Sequence, residues 1–291
     1  MVKGLNLPEY PQDVVTRFAP SPTGGLHLGH ALSAVLAHDV AWASAGRFVV
    51  RIEDIDTARC RPEFVSAILD DLRWLGIDWD TLDIQTHHAA EHTAALERLH
   101  DIGVIYRCIC TRAEIAASAS APHGEEGPVY PGTCRGRAVL DDGTRPVAWR
   151  LDVEQAARIA GPLDWHDEDA GTVVADPLSG GDVVLARKGL GVAYHLAVVV
   201  DDAAAGVTHV VRGVDLFAVT HVQRLLQALL GVPTPCYRHH ALICGADGKR
   251  LAKRTPGATL ADLRDAGVDP RVLCDDLRKG RLPVGFGWVR A

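Results

Sequence analysis

The chain predicts an α/β fold: a parallel sheet whose strands alternate with helices, interrupted by a small inserted domain. Three observations carry this. Short Val-rich runs bounded by turn residues recur between longer stretches with apolar residues at helical spacing, the pattern of buried parallel strands and their crossover helices. The first strand-like run passes into a proline- and glycine-rich loop and then straight into an amphipathic stretch. The alternation then breaks between about residues 106 and 191, where a cysteine-bearing segment intervenes in a chain of 291 residues, long for a single domain. An open sheet of this type presents ligands at the C-terminal edge of its strands.

In chain order, Val14 and Val15 begin the first strand, and Pro20, Pro22, Gly24 and Gly25 exclude regular structure before a helix opens near Leu28. Arg47 to Ile52 reads as a buried strand. Phe64, Ile68, Leu72 and Leu75 recur at helical spacing after Pro62, which suits a first helical turn, and Gly76 is placed to end that helix. Leu96, Leu99 and Ile102 form a second apolar stripe ending at Gly103. Thr111-Arg-Ala-Glu114 has the form of a capping box opening a short helix, and Ala116 to Ala121 is an exposed low-complexity loop. Beyond the interruption, Ala193 to Val200 and Val207 to Val211 read as buried strands, and Leu216 through Leu230 as a helix closed by Gly231 and Pro233.

Composition bounds the setting. Hydrophobic residues make up 47% of the chain, enough for a core, and no stretch approaches the roughly 20 apolar residues of a membrane span. The N-terminus Met-Val-Lys-Gly-Leu-Asn-Leu-Pro has no long apolar h-region, so a cytoplasmic monomer away from membranes is expected. A net charge of −7 argues against broad nucleic-acid binding, but 25 arginines remain to build a local basic cleft.

Two segments carry chemistry. In Arg17-Phe-Ala-Pro-Ser-Pro-Thr-Gly-Gly-Leu-His-Leu-Gly-His30 the glycines remove Cβ atoms that would block a phosphate. The following helix start offers backbone N–H groups and a partial positive charge. His27 and His30, three residues apart, can face the same loop mouth. About 220 residues later, Lys249-Arg-Leu-Ala-Lys-Arg254 follows an Asp247-Gly248 turn and holds two of the five lysines in the chain. A cationic, glycine-flanked loop suits clamping a polyphosphate during reaction.

Together these segments resemble the paired signatures of class I aminoacyl-tRNA synthetases, an H-x-G-H loop early and a K-M-S-K-S loop late. Here the first reads His27-Leu-Gly-His30, and the second Arg250-Leu-Ala-Lys-Arg254, with Arg250, Ala252 and Arg254 departing from the pattern. The resemblance implies a Rossmann-type parallel-sheet catalytic domain. It implies an ATP site at Pro20, Gly25, His27, Gly29, His30, Arg250 and Lys253, with Mg²⁺ accompanying ATP and with His27, His30 and Lys253 catalytic. Arg-Phe-Ala-Pro-Ser-Pro-Thr-Gly, Arg51-Ile-Glu-Asp-Ile-Asp56, Tyr194-His-Leu-Ala-Val-Val-Val-Asp-Asp202 and Val211-Arg-Gly-Val-Asp215 are similar to the glutamyl branch. That branch implies a glutamate pocket of Arg17, Ser21, Glu53, Tyr194 and Arg212, with Val198 standing where glutamyl enzymes tend to have asparagine. The chemistry agrees independently: a substrate with two carboxylates and one ammonium needs guanidinium forks and an anion.

Cysteine usage points to a metal. Without a secretory signal, seven cysteines favour thiols or metal ligands over disulfides. Cys108-Ile-Cys110 and Cys134, separated by an Ala/Ser-rich loop, make a tetrahedral structural zinc site short of one ligand. His123 and Tyr130 are the candidates for the fourth.

Only 37 residues follow Arg254, too few for the helical anticodon-gripping domain of full-length glutamyl synthetases. The chain therefore resembles the truncated branch of the family, the glutamyl-Q tRNA(Asp) synthetases. In that branch glutamate is attached to queuosine at the wobble position of tRNA(Asp), and a tyrosine four residues before the last cysteine, here Tyr130, completes the zinc site. The expected organisation is a catalytic domain in two parts, 1–105 and 192–245, a zinc-bearing acceptor subdomain at 106–191, and a phosphate-clamp loop with a short helical tail at 246–291. No anticodon-binding domain is expected.

Overall fold

The computed structural model describes residues 10–118, 129–139, 143, 145–251 and 259–289. Lys253, Ala252 and Arg254 of the second signature, His123 and residues 119–121 lie outside the described residues, while Ala116 to Ser118, read as loop, are the last residues of a helix that opens at Arg112.

The first half of the catalytic sheet is β1 (Val15–Phe18), α1 (Leu28–Ala43), β2 (Arg47–Ile52), α2 (Pro62–Trp74) and β3 (Thr81–Ile84), followed by α3 (Ala89–Asp101). β1, β2 and β3 pair in parallel, Val15 opposite Arg47 and Val49 opposite Thr81. The tight return from α1 to β2 needs Gly46, because a Cβ there would stand 1.9 Å from the Val14 carbonyl oxygen. β2 matches the expected strand, α2 opens on Pro62, and Gly76 and Gly103 take positive φ values just beyond the ends of α2 and α3.

Next come β4 (Ile105–Cys108), α4 (Arg112–Ser118), β5 (Ala148–Leu151), α5 (Val153–Ala160), β6 (Asp164–Asp167), β7 (Gly171–Val174), β8 (Val184–Arg187) and β9 (Gly191–Val192). β4, β5, β8 and β9 form an antiparallel sheet of their own, while β6 and β7 pair as a hairpin and β6 runs parallel to a strand of the catalytic half. The stretch 106–191 thus contributes to two sheets, and its expected boundaries fall inside β4 and β9.

The chain then returns through α6 (Tyr194–Ala204), β10 (His209–Gly213), α7 (Val219–Leu230) and β11 (Cys236–His240), with β10 and β11 parallel. β1 and β10 lie side by side: Thr208 N donates to Val15 O and Val15 N to Thr208 Oγ1, both at 2.9 Å. The strands therefore run β3, β2, β1, β10, β11, with the β6–β7 hairpin beyond. The tail holds β12 (Ile243–Gly245), α8 (Leu260–Asp265), α9 (Pro270–Arg278) and β13 (Phe286–Trp288), and β13 returns to pair antiparallel with β12. A bidentate Arg278–Asp39 pair (2.7 and 2.8 Å) ties α9 to α1.

One reading is corrected. Ala193 to Val200 is not a strand but the first part of α6. A Val-rich run buried on several sides looks the same in either period, and tertiary packing overrides the β-branched propensity. Here Leu196, Val198 and Val199 enter one core with Leu225, Leu226 and Leu229 of α7. The strand read at Val207 to Val211 begins two residues later, at His209, and the helix read from Leu216 starts at Val219 after a short 3-10 turn at Val214–Leu216.

Candidate active site

The C-terminal ends of β1, β2, β10 and β11 meet the N-terminus of α1 around a cavity of about 360 Å³. Its lining includes Arg17, Pro20, Ser21, His27, Gly29, His30, Glu53, Tyr194, Arg212 and Arg250, so ten residues expected from the sequence share one space. Gly25 is not among them; it lies against Thr259. Ser33, Asp215 and His240 also line the cavity and were not anticipated. Ser33 had a legible signal, lying one helical turn beyond Gly29 and His30. Asp215 and His240 stand at strand ends, where only the fold brings them in.

At one end, α1 is capped by imidazoles. His27 Nδ1 accepts from Gly29 N, and His30 Nδ1 accepts from His27 N, both at 3.1 Å, and the two rings stack at 3.7 Å. Each Nδ1 being an acceptor, each proton sits on Nε2 in the neutral ring, giving two N–H donors beside the positive end of a helix. Gly29 leaves room for the His27 ring, since a Cβ would come within 3.1 Å of it and push it aside by a few tenths of an ångström. His240 donates from Nδ1 to the Ala241 carbonyl and receives the Ser33 hydroxyl at Nε2 (2.7 Å). Burial lowers the His240 pKa to about 4, so it stays neutral. Arg250 closes this end through an ion pair with Asp215.

At the other end, charge is concentrated in the interior. Arg17 donates through Nε to Asp202 (3.1 and 3.3 Å), and the wholly buried Arg51 reaches Asp202 at 2.8 Å and Glu53 at 3.4 Å. Burial by itself would raise the Asp202 pKa, but Arg17 and Arg51 hold it below the usual carboxylate range. Glu53 behaves oppositely: burial raises its pKa, and Arg51 and Arg17 offset only part of that. A cationic group arriving beside Glu53 would be stabilised. Asp201 also reaches Arg51, at 4.0 Å, and accepts from Gln85 and is bonded to His92, so the neighbouring carboxylates share one guanidinium but take different further partners. Val198 is packed in the apolar core of α6 and α7.

A second cavity of about 340 Å³ shares Ser21, Glu53 and Tyr194 with the first and extends past Arg59, Arg112 and Arg187. It opens the Glu53 and Tyr194 end of the first cavity toward the β4–β9 sheet.

Beside β4, the Cys108, Cys110 and Cys134 sulfurs lie within 4.8 Å of one another and could hold a metal ion. Tyr130 Oη is 3.3 Å from Cys108 Sγ and 3.6 Å from Cys110 Sγ, and Cys110 and Cys134 sulfurs are 3.5 Å apart. Tetrahedral Zn²⁺ with ligand bonds of about 2.0–2.3 Å sets ligand atoms roughly 3.5–3.8 Å apart, so the donor set fits. Cys134 N donates to the Tyr130 oxygen at 2.9 Å and Arg150 lies 3.8 Å over its ring, but burial and the neighbouring cysteines outweigh them and push the Tyr130 hydroxyl well above its usual range, a shift that a bound cation would reverse. Burial pushes the Cys110 thiol up to about 11, and a cation would reverse that shift. A further group, Glu168, His209 and Cys236, also falls within metal distance, but Tyr10 and Arg238 already engage Glu168.

Strand-end side chains and the twin-histidine cap of a helix N-terminus thus converge on one cavity of a parallel α/β sheet, the arrangement of a class I synthetase catalytic domain. Residues 13–283 match the family model of the catalytic domain of class I tRNA synthetases (E and Q), and the chain belongs to that family. Within it the chain groups with glutamyl-Q tRNA(Asp) synthetases. It is 48% identical to that of Rhodobacter capsulatus, over 88% of this chain and 97% of the relative. With that of Symbiobacterium thermophilum it shares 45%, over 90% and 84%. Among solved structures, a glutamate tRNA ligase from Elizabethkingia meningosepticum in complex with its amino acid superposes with a TM-score of 0.69 at 26% identity, over 84% of this chain. The glutamate-tRNA synthetase of Elizabethkingia anophelis gives 0.68 at 26%, over 88% of this chain. The chain spans about half the length of these two solved chains, 52% and 54%. No helix among the described residues is long and apolar enough to cross a membrane.

Proposed function

We propose that the protein activates glutamate with ATP and transfers it to queuosine of tRNA(Asp). The observation that carries this is the convergence of two buried guanidiniums, Arg17 and Arg212, and one buried carboxylate, Glu53, on the cavity that ends at the twin-histidine cap. Permanently charged forks suit the two carboxylates of glutamate, and Glu53 suits its ammonium. Tyr194 and Ser21 complete that end.

The glutamate α-carboxylate attacks the α-phosphorus of ATP in line, and pyrophosphate leaves. His27 and His30 donate from Nε2 to the phosphate oxygens as charge builds, next to the helix N-terminus. Arg250 and Lys253 clamp the outer phosphates, and Mg²⁺ accompanies them. A hydroxyl of the queuosine ring then attacks the adenylate carbonyl, forming the ester and releasing AMP. No side chain forms a covalent bond, so positioning supplies much of the acceleration. The acceptor is favoured by the relatives named for it, which this chain matches over most of their length, whereas the full-length glutamate ligases are matched over half. A structural Zn²⁺ held by Cys108, Cys110, Tyr130 and Cys134 would brace the end of β4 and supplies no chemistry to the transfer.

The test has two stages. Glutamate-dependent ATP–pyrophosphate exchange should proceed without tRNA, and labelled glutamate should then appear on tRNA(Asp) only when queuosine is present. Removing the terminal 3′ adenosine should leave acceptance intact. Exchange that ignores glutamate would overturn the amino-acid reading, and loss of acceptance without the 3′ adenosine would overturn the acceptor.

A further inference from the structure

Behind the cavity wall, a line of buried groups runs from Asp167 through His239 to Arg212. Arg212 Nε donates to His239 Nε2 at 3.1 Å, and His239 Nδ1 meets Asp167 Oδ2 at 2.7 Å. On the far side, Arg212 Nη2 donates to Thr220 Oγ1 at 2.6 Å, and Thr220 passes its proton to Leu216 O at 3.1 Å. The His239 ring lies parallel to Tyr237, 7° between planes, with its faces and edges closed by Phe217 and Trp165. His239 and Asp167 do not line the cavity.

We propose that Asp167 and His239 are positioning residues whose one permitted proton arrangement orients the Arg212 guanidinium, and thereby sets affinity for the amino-acid substrate. The inference rests on the role given to Arg212 above.

The arrangement is forced by donor and acceptor arithmetic. A guanidinium has five donors and no acceptor, so His239 Nε2 must offer a lone pair to Arg212 Nε. The neutral ring then carries its proton on Nδ1, and only an ionised carboxylate suits the 2.7 Å partner on that side. Asp167 is kept in that state. Burial raises its pKa, but the His239 bond and the N–H groups of Ala170 and Asp169 outweigh burial and hold it below the usual range. Those N–H groups bind Oδ1 at 3.0 Å each, so the carboxylate cannot swing away from the ring. With Nε and Nη2 engaged behind the wall, Nη1 is the end of Arg212 presented to an anionic ligand.

Asp167→Asn tests this without touching the cavity. Asparagine keeps Oδ1 for the two N–H groups, because flipping its amide would set donors against donors. Its Nδ2 then donates to His239 Nδ1, the ring proton moves to Nε2, and that proton opposes Arg212 Nε–H. The two readouts are the His239 tautomer, from imidazole nitrogen NMR assigned with His239→Phe, and Michaelis constants in glutamate-dependent ATP–pyrophosphate exchange. Wild type should show the Nδ1–H tautomer and Asp167→Asn the Nε2–H tautomer. KM for glutamate should rise about 10- to 100-fold in Asp167→Asn, as for loss of a charge-assisted bond. KM for ATP and kcat should stay within about twofold, a split that general destabilisation would not give. An Nε2–H tautomer in wild type, or a flipped tautomer with unchanged glutamate KM, would overturn the proposal. Should His239→Phe fail to fold, mutation of Asp167 alone still decides it through the KM split. Wild type that shows no glutamate-dependent exchange would instead overturn the functional reading, and the role of Arg212 with it.

Discussion

At the scale of single residues, the site depends on charges that the interior tolerates only in company. Arg212→Ala should weaken glutamate binding by about 1.5–3 kcal/mol through loss of a charge-assisted contact, while ATP affinity stays near wild type. Calorimetric titration with each ligand checks this, and equal losses would remove Arg212 from the amino-acid end. Arg51 is a different case, because it lies wholly within the fold between Asp202, Glu53 and Asp201. Arg51→Met leaves three buried carboxylates short of a cation and should cost about 3–5 kcal/mol of stability. An unchanged urea midpoint would show that those carboxylates protonate or rehydrate at little cost. Arg17, Glu53 and Arg212 were legible because they stand in motifs, at or just beyond strand-like runs, that are similar to those of the glutamyl branch. Asp167, Asp202 and His239 were not legible as their supports, because the Arg17–Asp202, Asp167–His239 and Arg212–His239 partners stand 185, 72 and 27 residues apart, beyond any local pattern.

At the scale of elements, the loop-to-helix junction and the cysteine turn each join local chemistry to local folding. His27 is both the N-cap of α1 and a cavity donor, so His27→Ala should cost about 1 kcal/mol of stability as a lost cap, in addition to slowing adenylate formation. His27→Asn should recover the stability but not the rate; recovery of both would mean the imidazole acts only as a cap. Purified protein should contain about one zinc per chain, the stoichiometry of one closed four-ligand site, and Cys134→Ser should release it. Protease should then cut near β4 before it cuts the catalytic sheet, as seen by limited proteolysis. Full zinc retention in Tyr130→Phe would move the fourth ligand elsewhere, with His123 the next candidate. Caps and turns were legible because they are made by residues within a few positions of one another: Pro62, Gly76, Gly103, Gly231 and the Thr111–Glu114 box all stand where the reading put them. α6 was misread because its apolar residues meet neighbours on more than one side, which erases the periodicity that distinguishes helix from strand.

At the scale of the whole molecule, buried titrating groups link stability to pH. Burial lowers His195 and His240 from 6.5 to about 4 and also lowers His209, His221 and His239. A histidine lowered in the fold binds its proton first in the unfolded chain, so its stabilising contribution is full above about 6.5 and is lost as pH falls toward 4. Asp71 opposes this: raised from 3.8 to about 6 by burial, it binds a proton first in the folded state and adds stability as pH falls through that window. The urea midpoint should therefore fall between pH 7 and pH 5, and fall more steeply in Asp71→Asn. A midpoint that rises on acidification would give the balance to the buried carboxylates. For RNA, an acidic chain must rely on local arginine–phosphate contacts, so tRNA affinity should drop steeply between about 50 and 200 mM salt. Salt-independent binding would exclude a basic cleft.

What the sequence by itself determined was the alternating α/β plan, the twin-histidine loop, the charged residues that line the cavity and the cysteine set. Each depends on spacing within a short window or on a residue type with few alternative uses. Tertiary structure alone decided that the β6–β7 hairpin joins β11, that α6 is a helix, that β13 returns to β12, and that Asp202 and the Asp167–His239 pair stand behind the arginines that line the cavity. Those contacts join residues far apart in the chain, and only the folded packing, where unpaired buried charge is costly, selects which partner each charge takes.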